Sequence, residues 1–568
     1  MKLVECVPNF SEGRDRDKIQ AIAREIETTP GVKLLDVDPG ESTNRTVITF
    51  VGSPEGVKEA AFRAIKKAAE LIDMAKHKGA HPRIGATDVC PFVPVSGVTM
   101  EDCVRIAKEV AERVGQELNI PVYLYEEAAT RPERRNLANI RSGEYEALID
   151  KLKDPQWTPD YGPAIFNPKT GATVIGAREF LIAYNINLNT RDRRLAQEIA
   201  LNLRETGRAK RDEKGQVVQD ADGKTIMIPG KFKHVKAVGW YIEDYGCAQV
   251  SLNLTNYKVS PPHLVFEEAV KEAEKLGLRV TGSEVVGLIP KEALLMAGRY
   301  YLEKQGKSPG VPEEELIQTA IRSLGLNDVA PFDPKKKIIE YTVEEPGKSL
   351  QRLSLREFAN ELSMDSPAPG GGSVGALCGA LSASLSSMVA NLTYGKKGFE
   401  ASWPEMKEAS LAAQAYKDQF LNLVDEDTNA FNRVVEALRL PKATEEQQKE
   451  REEALEAANR GATLVPFEVL KLSHNLVNLT ELIISKGNKN SFSDSAVALI
   501  TALAAAEAAF YNININLPNI RDAEFKKKVA GEAADLFYSL EARANKLRKI
   551  VWTELIQGEG KNEGKEKG

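Results

Sequence analysis

Apolar runs of strand length alternate with helical segments through the first 330 residues. Residues 1–7, 32–37 and 46–51 are mostly apolar, and each run ends at turn-forming residues. Ser53-Pro54 then forms a helix-start signal, because Ser suits the cap and Pro suits the first helical position. The segment that follows, 55–74, places Val and Ala residues on one face. This pattern predicts an α/β or α+β fold.

The pattern changes at residue 354, after which strand-like runs disappear. Two of the helical segments, GALCGALSASLSSMVANL and SAVALITALAAAEAAF, are rich in small residues and approach the length that a membrane span requires. Their serines, Asn and Glu favour close helix packing instead, so we expect no membrane span. The second half is therefore predicted to be an all-helical bundle. Its expected helices cover 354–364, 373–394, 403–438, 445–461, 465–487, 494–513 and 521–556.

A second, weaker unit of strand, Ser-Pro and helix at 249–276 predicts two α/β subdomains that meet near residue 178. Segment 208–231 is polar with two glycine turns, and we expect a surface hairpin or loop insertion there. The stretch 328–352 has three prolines and a lysine run, so it is expected to be an exposed linker. The predicted organisation is a first subdomain at 1–178, a second at 179–327, the linker at 328–352, a helical domain at 353–557 and a disordered tail at 558–568.

Composition narrows the classes of function. The 568 residues carry a net charge of −6 with a pI of about 5.8, whereas nucleic-acid binders normally show a strong basic excess. The N-terminus has no apolar stretch of the signal-peptide type. Five scattered cysteines show neither paired spacing nor a zinc pattern. We therefore expect a reduced, cytoplasmic protein that binds no nucleic acid and no metal.

Two of the five histidines, His77 and His81, fall within KHKGAHPRIGATDVCPF, residues 76–92. An average loop histidine is a structural residue satisfied by a backbone hydrogen bond. Here Pro82 and nearby glycines shape the loop, and an imidazole that titrates near neutral pH suits proton transfer. Arg83 is a ready donor to a carboxylate. His81 is therefore the candidate for chemistry, whereas His77, at an expected helix end, is interpreted as structural.

Polar residues follow the predicted strands. Asn9, Asp38 and Asn44 come after the first two strands, at the strand ends where open α/β sheets bind ligands. Asn and Asp are also ordinary turn residues, and composition alone favours that interpretation. A further stretch, YGPAIFNPKTGATVIGAR at 161–178, brackets Phe166 with prolines and glycines. Such a loop is able to stack an aromatic ring on a ligand and to offer backbone amides.

A glycine-rich stretch opens a helix in the second half. In DSPAPGGGSVGAL, residues 365–377, the glycines Gly370, Gly371 and Gly372 precede the helix. Free N–H groups at a helix N-terminus attract anions, although the Lys-Ser/Thr pair of a nucleotide-binding P-loop is missing. The alternative is a plain helix start with a flexible lead-in.

Two acidic residues in FLNLVDEDTNAFNRVVEAL, residues 420–438, differ in their position on the expected helix. Asp427 lies on an apolar stripe, where an unpaired carboxylate is unfavourable and is therefore a candidate site. Asp425, two positions away, points to another face. Helical spacing gives the stripe as Phe420, Val424, Phe431, Val434 and Leu438.

These stretches together resemble the formiminotransferase–cyclodeaminase family. The first half matches in LVECVPNFSEG, LLDVDPGESTNRTV, LIDMAKHKGAHPRIGATDVCPFVPV and FLIAYNINL, and the second in APGGGSVGAL, LTYGKKGFE, LVDEDTNAF and YNININL. The resemblance implies transfer of the formimino group of N-formimino-L-glutamate to N5 of tetrahydrofolate. It also implies cyclisation of 5-formiminotetrahydrofolate to 5,10-methenyltetrahydrofolate with release of ammonia. The expected architecture is a two-subdomain α/β transferase half followed by an all-α cyclodeaminase half.

The resemblance also assigns residues. His81 falls on the family's catalytic histidine, where one imidazole serves as base and then as acid, and Asp427 falls on its cyclodeaminase aspartate. Supporting roles are expected for Asn9, Asp38, Asn44, Arg83, Gly370, Gly371 and Gly372. The family's folate-binding segment corresponds to Gly162, Pro163, Ala164, Ile165, Phe166, Asn167, Pro168, Lys169, Thr170 and Gly171.

The same resemblance implies tetrahydrofolate, in polyglutamylated form, as a co-substrate, with no metal. It further implies a homo-oligomer and a place in histidine and one-carbon metabolism. Two alternatives remain open at the level of the sequence. One is a formyltransferase of the same fold that uses formylglutamate, and the other is a non-catalytic folate-binding or scaffold protein.

Overall fold

The computed structural model describes residues 2–41, 43–79, 82–243, 245–343 and 349–557. The chain forms two compact units. The first comprises Met1–Ala297 and Ile321–Glu345, and the second comprises Gly298–Ala320 and Pro346–Gly568. The predicted domain boundaries stay predictions. The predicted tail at 558–568 lies outside the described residues.

The first unit contains a seven-stranded mixed sheet, in which β1, β4, β2, β5, β7 and β6 are neighbours in that order and β3 pairs with β4. Strands β5, β7 and β6 run parallel, and the other pairs are antiparallel. The strands are β1 (Leu3–Cys6), β2 (Asn9–Phe10), β3 (Val32–Gly40), β4 (Arg45–Gly52), β5 (Thr87–Ser96), β6 (Val122–Glu126) and β7 (Thr173–Ala177).

A four-stranded antiparallel sheet follows in the same unit, in the order β11, β12, β8 and β13. The segment 208–231 forms the expected exposed hairpin, in which β9 pairs with β10 and further bridges join Arg211 to Val217 and Gln219 to Thr225. The strands are β8 (Ile182–Leu188), β9 (Arg208–Ala209), β10 (Met227–Ile228), β11 (Val235–Ile242), β12 (Cys247–Leu254) and β13 (Val280–Val286).

The helices of this unit cover the sheets with apolar faces. The Ser53 hydroxyl accepts from the Gly56 N–H at 3.2 Å and caps the second helix, which ends at Leu71 rather than at residue 74. Ser260 instead donates to the Lys233 carbonyl and caps nothing. The helices are α1 (Arg16–Glu27), α2 (Pro54–Leu71), α3 (Met100–Glu117), α4 (Leu137–Arg141), α5 (Leu148–Lys151), α6 (Arg193–Leu203) and α7 (Pro262–Lys275), then α8 (Lys291–Lys304), α9 (Glu313–Ser323), α10 (Pro334–Lys337) and α11 (Ile339–Thr342), of which α8 and α9 lie partly in the second unit.

The second unit is the helical bundle that the sequence predicts, so the fold class is confirmed. Two expected helices, 445–461 and 465–487, are one continuous helix that contains Pro466. The predicted break was wrong because packing holds the chain helical through this proline, which is buried. The helices are α12 (Leu355–Leu362), α13 (Gly371–Thr393), α14 (Trp403–Arg439), α15 (Glu445–Lys486), α16 (Phe492–Asn516) and α17 (Ala523–Gln557).

The segment between α8 and α9 packs on this bundle. The Gly310 carbonyl accepts hydrogen bonds from Asn391 Nδ2 at 2.7 Å and Ser387 Oγ at 3.1 Å, both on α13. Ser308 Oγ lies 2.7 Å from Ser410 Oγ on α14. These contacts explain why residues 298–320 belong to the helical unit although they precede the predicted linker.

The expected exposure of the linker was wrong. Ile338 and Ile339 of the predicted linker are fully buried in the first unit, where Ile338 bridges to Ile289 beside the second sheet. On α14 the apolar stripe is buried only at its start. Phe431 and Leu438 are 37% and 51% exposed, since small alanines fill the inner positions of this part of the helix.

Two helical segments, Gly371–Thr393 and Lys489–Asn519, are long and apolar enough to cross a membrane. Within the bundle, 61% and 44% of their most apolar windows are buried, respectively. Packing against neighbouring helices accounts for much of their composition, as the small residues predict.

Candidate functional site

The loop of His81 joins α2 to β5, and Ala80 and His81 themselves lie outside the described residues. His77 lies just before them, with Nε2 2.8 Å from the Asn44 carbonyl, while Arg83 Nε donates to Nδ1 at 3.3 Å. Because a guanidinium only donates, Nδ1 is the acceptor and Nε2 carries the proton. Burial lowers the pKa of His77, which favours this neutral form. Both ring nitrogens of His77 therefore form hydrogen bonds that stabilise the loop.

Arg83 is buried in a cluster of acidic side chains. Nη1 donates to Glu144 at 2.8 Å and to Glu146 at 2.9 Å, and Nη2 donates to Glu146 at 2.7 Å. These hydrogen bonds raise the pKa of Arg83. With its remaining nitrogen on His77, the guanidinium is committed to contacts within the protein. Its predicted role in holding a substrate carboxylate stays a prediction.

The three polar residues predicted at strand ends have different surroundings. Asn9 on β2 donates to the Val7 carbonyl at 3.1 Å and lines a large cavity of the first unit. Asp38 is exposed on β3, opposite Val47 of β4. Asn44 is buried in the left-handed conformation, with φ 49°, where it accepts from Gly13 N and donates to the Lys78 carbonyl. Among the three, Asn9 alone lines that cavity.

The cavity has a volume of about 900 Å³ and receives residues from both sheets of the first unit. Pro82, the neighbour of His81 in the chain, lines it together with Tyr125 of β6. Five cationic and four acidic side chains lie on the wall, and the cations suit an anionic ligand. The cationic lining comprises Arg45, Arg135, Arg141, Arg178 and Lys236.

Segment 162–171 is a largely exposed loop that packs against the loop of His81. The Phe166 ring lies 5.4 Å from the Tyr145 ring, and the Tyr145 hydroxyl donates to the Pro168 carbonyl at 2.6 Å. Tyr145 N–H in turn donates to the Arg83 carbonyl at 2.8 Å. Ile165 is 70% exposed, so the loop presents an apolar tip to solvent.

Glycines allow these two loops to approach each other closely. A Cβ on Gly85 would lie 2.0 Å from the Ala172 carbonyl oxygen, and one on Gly171 would lie 2.2 Å from the Ile84 carbonyl oxygen. Gly171 also has φ +62°. The two glycines form a bridge, and any side chain there would separate the predicted folate segment from the chain next to Pro82.

In the helical unit, Asp427 of α14 meets the first turn of α13. Ser373 Oγ donates to Asp427 Oδ2 at 2.9 Å. Burial raises the pKa of Asp427, although hydrogen bonding to Ser373 opposes the rise. A Cβ on Gly372 would lie 2.1 Å from Asp427 Oδ1. The carboxylate therefore occupies the space that the glycine leaves at the helix N-terminus.

The other two glycines of this loop have looser surroundings. A Cβ on Gly371 would lie 3.7 Å from Asn512 Nδ2 of α16, and one on Gly370 would lie 3.8 Å from the Pro367 carbonyl. The glycine loop, Asp427 and Asn512 thus border one region at the start of α13.

Asp425 has different partners, as the helical spacing predicts. Its carboxylate accepts from Ser349 Oγ at 2.6 Å, from Leu350 N at 2.6 Å and from Gln351 Nε2 at 2.8 Å. Asp425 therefore holds the chain just before α12, whereas Asp427 faces the glycine loop.

Sequence reasoning missed a buried ion pair beside the first cavity. Asp88, on β5, is 1% exposed and pairs with Arg141, the last residue of α4. The available signal was a carboxylate at the start of the apolar run TDVCPFV, since a buried charge marks a candidate site. Its partner lies 53 residues away and was not visible in the sequence.

The two units together define a two-part enzyme, with a cavity lined by five cationic and four acidic side chains in an α/β unit and a half-buried aspartate at a helix start in an α-helical unit. Family models match almost the whole chain. The Formiminotransferase domain, N-terminal subdomain, matches residues 3–178, the Formiminotransferase domain matches 183–344, and the Formiminotransferase-cyclodeaminase model matches 354–535. The chain belongs to the formiminotransferase-cyclodeaminase family and is a bifunctional enzyme.

Curated relatives cover either the whole chain or one half of it. Formimidoyltransferase-cyclodeaminase of Mus musculus is 47% identical over 96% of this chain and 97% of its own length. Glutamate formimidoyltransferase of Streptococcus pyogenes serotype M1 is 44% identical over 53% of this chain and 94% of its own length. Methenyltetrahydrofolate cyclohydrolase of Methylorubrum extorquens is 30% identical over 35% of this chain and 95% of its own length.

Proposed function

We propose that the chain transfers the formimino group of N-formimino-L-glutamate to N5 of tetrahydrofolate and then cyclises the product with loss of ammonia. The observation that carries this proposal is the half-buried Asp427 carboxylate, which accepts a hydrogen bond from Ser373 in the first turn of α13. The family resemblance assigns this position to the cyclodeaminase aspartate. Family membership over both halves supports the first reaction.

In the transfer, N5 of tetrahydrofolate attacks the amidine carbon of the donor. His81 removes the N5 proton and then protonates the glutamate nitrogen as its bond to that carbon breaks. L-glutamate leaves, and 5-formiminotetrahydrofolate remains. Pro82, the neighbour of His81, and five cationic side chains line the cavity, and these cations match a donor with two carboxylates.

In the cyclisation, N10 attacks the carbon of the formimino group in its protonated amidinium form, C=NH2+, and forms the second ring bond. Asp427 takes the N10 proton and gives it to the departing NH2 group, which leaves as ammonia, while the positive charge remains on the methenyl product. Burial raises the pKa of the Asp427 carboxyl, which makes its ionised form a stronger base for the N10 proton. The positive end of the α13 dipole and the hydrogen bond from Ser373 stabilise the ionised form of the Asp427 carboxyl.

Segment 162–171 is proposed to hold the folate, with Phe166 and the exposed Ile165 offering apolar contact to the pterin or benzoyl rings. A polyglutamylated tetrahydrofolate fits this proposal because five cationic side chains lie on the wall of the nearby cavity. The site requires only proton transfers from protein groups. We place the reaction in the cytoplasm, in histidine breakdown and one-carbon metabolism.

A homo-oligomer is also proposed, on the basis of apolar stripes that the helical unit exposes. On α13, Leu381 and Leu392 are 47% and 50% exposed, and on α16, Ile500 and Ile515 are 55% and 72% exposed. Each pair lies on one side of its helix by spacing. Large exposed apolar patches mark protein interfaces. Leu392→Glu with Ile500→Glu should lower the mass measured by light scattering, and an unchanged mass would contradict this interface.

The formyl alternative is less consistent with the second unit. A formyl donor would give 5-formyltetrahydrofolate, which has no nitrogen to release as ammonia. A chain that has Asp427 against the first turn of α13 is therefore better explained by a formimino donor. A non-catalytic scaffold would have no need for this arrangement.

The test combines both reactions in one cuvette. Protein, tetrahydrofolate and either donor are mixed, and methenyltetrahydrofolate absorbance and ammonia are followed together. His81→Ala should reduce transfer by about 10²–10⁴-fold, while cyclisation of supplied 5-formiminotetrahydrofolate continues and shows that the second unit is intact. Transfer within threefold of the parent would reject His81. Decay of the methenyl product would instead reveal a hydrolase activity, as in the named cyclohydrolase relative.

A further inference from the structure

Three asparagines lie near the C-terminal end of α16, in the run YNININL at residues 511–517. Asn516 Nδ2 donates to the Ala462 carbonyl of α15 at 2.8 Å and so joins two helices. Asn512 and Asn514 each donate instead to the carbonyl four residues earlier in α16, also at 2.8 Å. Asn514 is solvent-exposed, where a polar side chain is ordinary. The half-buried Asn512 needs another explanation.

The side-chain hydrogen bond of Asn512 contributes little to the helix. In an α-helix, the Ala508 carbonyl already accepts from the backbone N–H of residue 512, and Asn favours a helix interior less than Ala does. A carbonyl only accepts, so this bond turns Nδ2 toward Ala508 and leaves Oδ1 available. Within the described part of the chain, Oδ1 accepts no hydrogen bond, and protein atoms do not enclose it. Asn512 therefore presents an accessible acceptor.

Glycines mark the contact of α13 with α14. A Cβ on Gly379 would lie 2.4 Å from the Phe420 ring, and a Cβ on Gly372 would lie 2.1 Å from Asp427 Oδ1. The two glycines are two helical turns apart, and so are their two partners. This line of contact therefore runs from a fully buried aromatic ring to the Asp427 carboxylate at the first turn of α13.

A second line of contact joins α13 to α16. A Cβ on Gly375 would lie 2.9 Å from Ala508 Cβ, and a Cβ on Gly371 would lie 3.7 Å from Asn512 Nδ2. Here the glycines are one turn apart, and so are their partners. This line also runs from an apolar contact to a polar side chain at the start of α13. Asp427 and Asn512 thus approach the same helical turn from two different neighbours.

The two polar side chains suit the cationic group that the cyclisation uses. Gly371 and Gly372 are consecutive, with Cα atoms about 3.8 Å apart, so a substrate bound over them lies beside both side chains. The protonated formimino group is a cation, and the N-terminus of a helix repels a cation. Acceptors around the group must offset this repulsion. Asp427 supplies a charged acceptor, and Asn512 Oδ1 supplies a neutral one.

We propose that Asn512 is a further catalytic residue of the cyclisation, and that its Oδ1 accepts a hydrogen bond from the formimino nitrogen. The inference rests on the cyclisation proposed above. This nitrogen carries hydrogens before the attack of N10, after it, and as ammonia, so one acceptor holds it through every step. A neutral amide suits this place, because a second carboxylate would disfavour ionisation of Asp427. Asp427 moves the proton, and Asn512 keeps the departing nitrogen beside it.

The test compares two asparagines of α16. Asn512→Ala removes the acceptor. Asn514→Ala is the matched control, because it loses the same type of hydrogen bond about 200° around the helix. Cyclisation is measured from supplied 5-formiminotetrahydrofolate, and transfer in the same preparation shows that the protein is intact. We expect kcat/KM for cyclisation to fall roughly 10- to 100-fold in Asn512→Ala and less than threefold in Asn514→Ala.

The unfolding temperature separates a catalytic role from a structural one. Both variants should unfold at or above the temperature of the parent, since Ala replaces a weaker helix former. A structural role would lower the unfolding temperature of Asn512→Ala together with its rate, and that outcome counts against the proposal. Cyclisation by Asn512→Ala within threefold of the parent, or an equal loss of rate in both variants, would overturn it.

A substrate analogue identifies the atom that Asn512 contacts. 5-Formyltetrahydrofolate carries an oxygen in place of the formimino nitrogen and offers no N–H there. Its inhibition constant against cyclisation should therefore differ less than threefold between the parent and Asn512→Ala. An inhibition constant that rises as much as kcat/KM falls would overturn the assignment, since Asn512 would then shape the pocket for any folate. A parent that forms no methenyltetrahydrofolate would reject the proposed function and this inference together, whereas an equally active Asn512→Ala would reject the inference alone.

Discussion

Replacing Gly372 by Ala tests whether Asp427 acts through its position at the start of α13. The new Cβ would lie 2.1 Å from Asp427 Oδ1 and 2.6 Å from its Cγ, whereas ordinary contact begins at 3.4 Å. The carboxylate must then withdraw by about 1 Å, which also strains its 2.9 Å hydrogen bond from Ser373.

The size of the effect follows from this displacement. A misplacement of about 1 Å in a reacting group costs about 10²-fold in rate. The fold itself should suffer less, because Ala is a better helix former than Gly by up to about 1 kcal/mol, which offsets part of the clash. We therefore expect a loss of about 10²-fold in cyclisation, with a thermal unfolding midpoint close to that of the parent.

The assay is methenyltetrahydrofolate formation from supplied 5-formiminotetrahydrofolate, with transfer measured in the same preparation as an internal control. Gly461→Ala is the matched variant, since Gly461 lies on α15 and an added Cβ meets nothing within 4 Å. It should leave cyclisation unchanged. Cyclisation by Gly372→Ala within threefold of the parent would refute the reasoning, because it would mean that the carboxylate can move without consequence.

Two further predictions concern acidic side chains. Asp427→Asn should slow cyclisation by about 10²–10⁴-fold and let 5-formiminotetrahydrofolate accumulate. Asp425→Asn should mainly lower the unfolding temperature, because it releases residues 349–351. An equal loss of cyclisation rate in both variants would contradict their separate roles. Burial raises the pKa of Glu5 from 4.5 to about 7, partly opposed by Arg178, so the folded state holds an extra proton between these values. The free energy of unfolding of the first unit should therefore fall by roughly 3 kcal/mol as the pH rises through this window. Denaturant titrations at several pH values measure this fall, and Glu5→Gln should reduce it. An unchanged dependence on pH in the variant would show that Glu5 is not its source.

Periodic patterns were the most reliable guide to the fold. The alternation of strands and helices in the first half and the purely helical second half follow from residue spacing, which is a local property. The same spacing separated Asp425 from Asp427, and the structure gives them different partners. Local rules failed where neighbours override them, as at Pro466, which lies inside a continuous helix.

Pairings between distant residues account for what the sequence did not reveal. Ile338 lies in a segment whose composition predicts an exposed linker. In the fold it is buried and forms a bridge with Ile289. Arg83 looked like a free cation, yet Glu144 and Glu146 surround it in the fold. In each case the decisive partner lies about 50 to 60 residues away in the chain, beyond any periodic signal.

Glycines mark both candidate sites for a common physical reason. Around the first site, a Cβ on Gly79 would lie 2.2 Å from the Thr43 carbonyl oxygen, and Gly85 and Gly171 close the bridge between two loops. At the second site, Gly372 makes room for a carboxylate. A site that must bring a titratable group against backbone needs residues without a Cβ at the contact. A glycine whose missing side chain would overlap a polar atom is therefore more informative than the titratable residue alone, and that overlap separates Gly372 from Gly370 and Gly371, which look identical in the sequence.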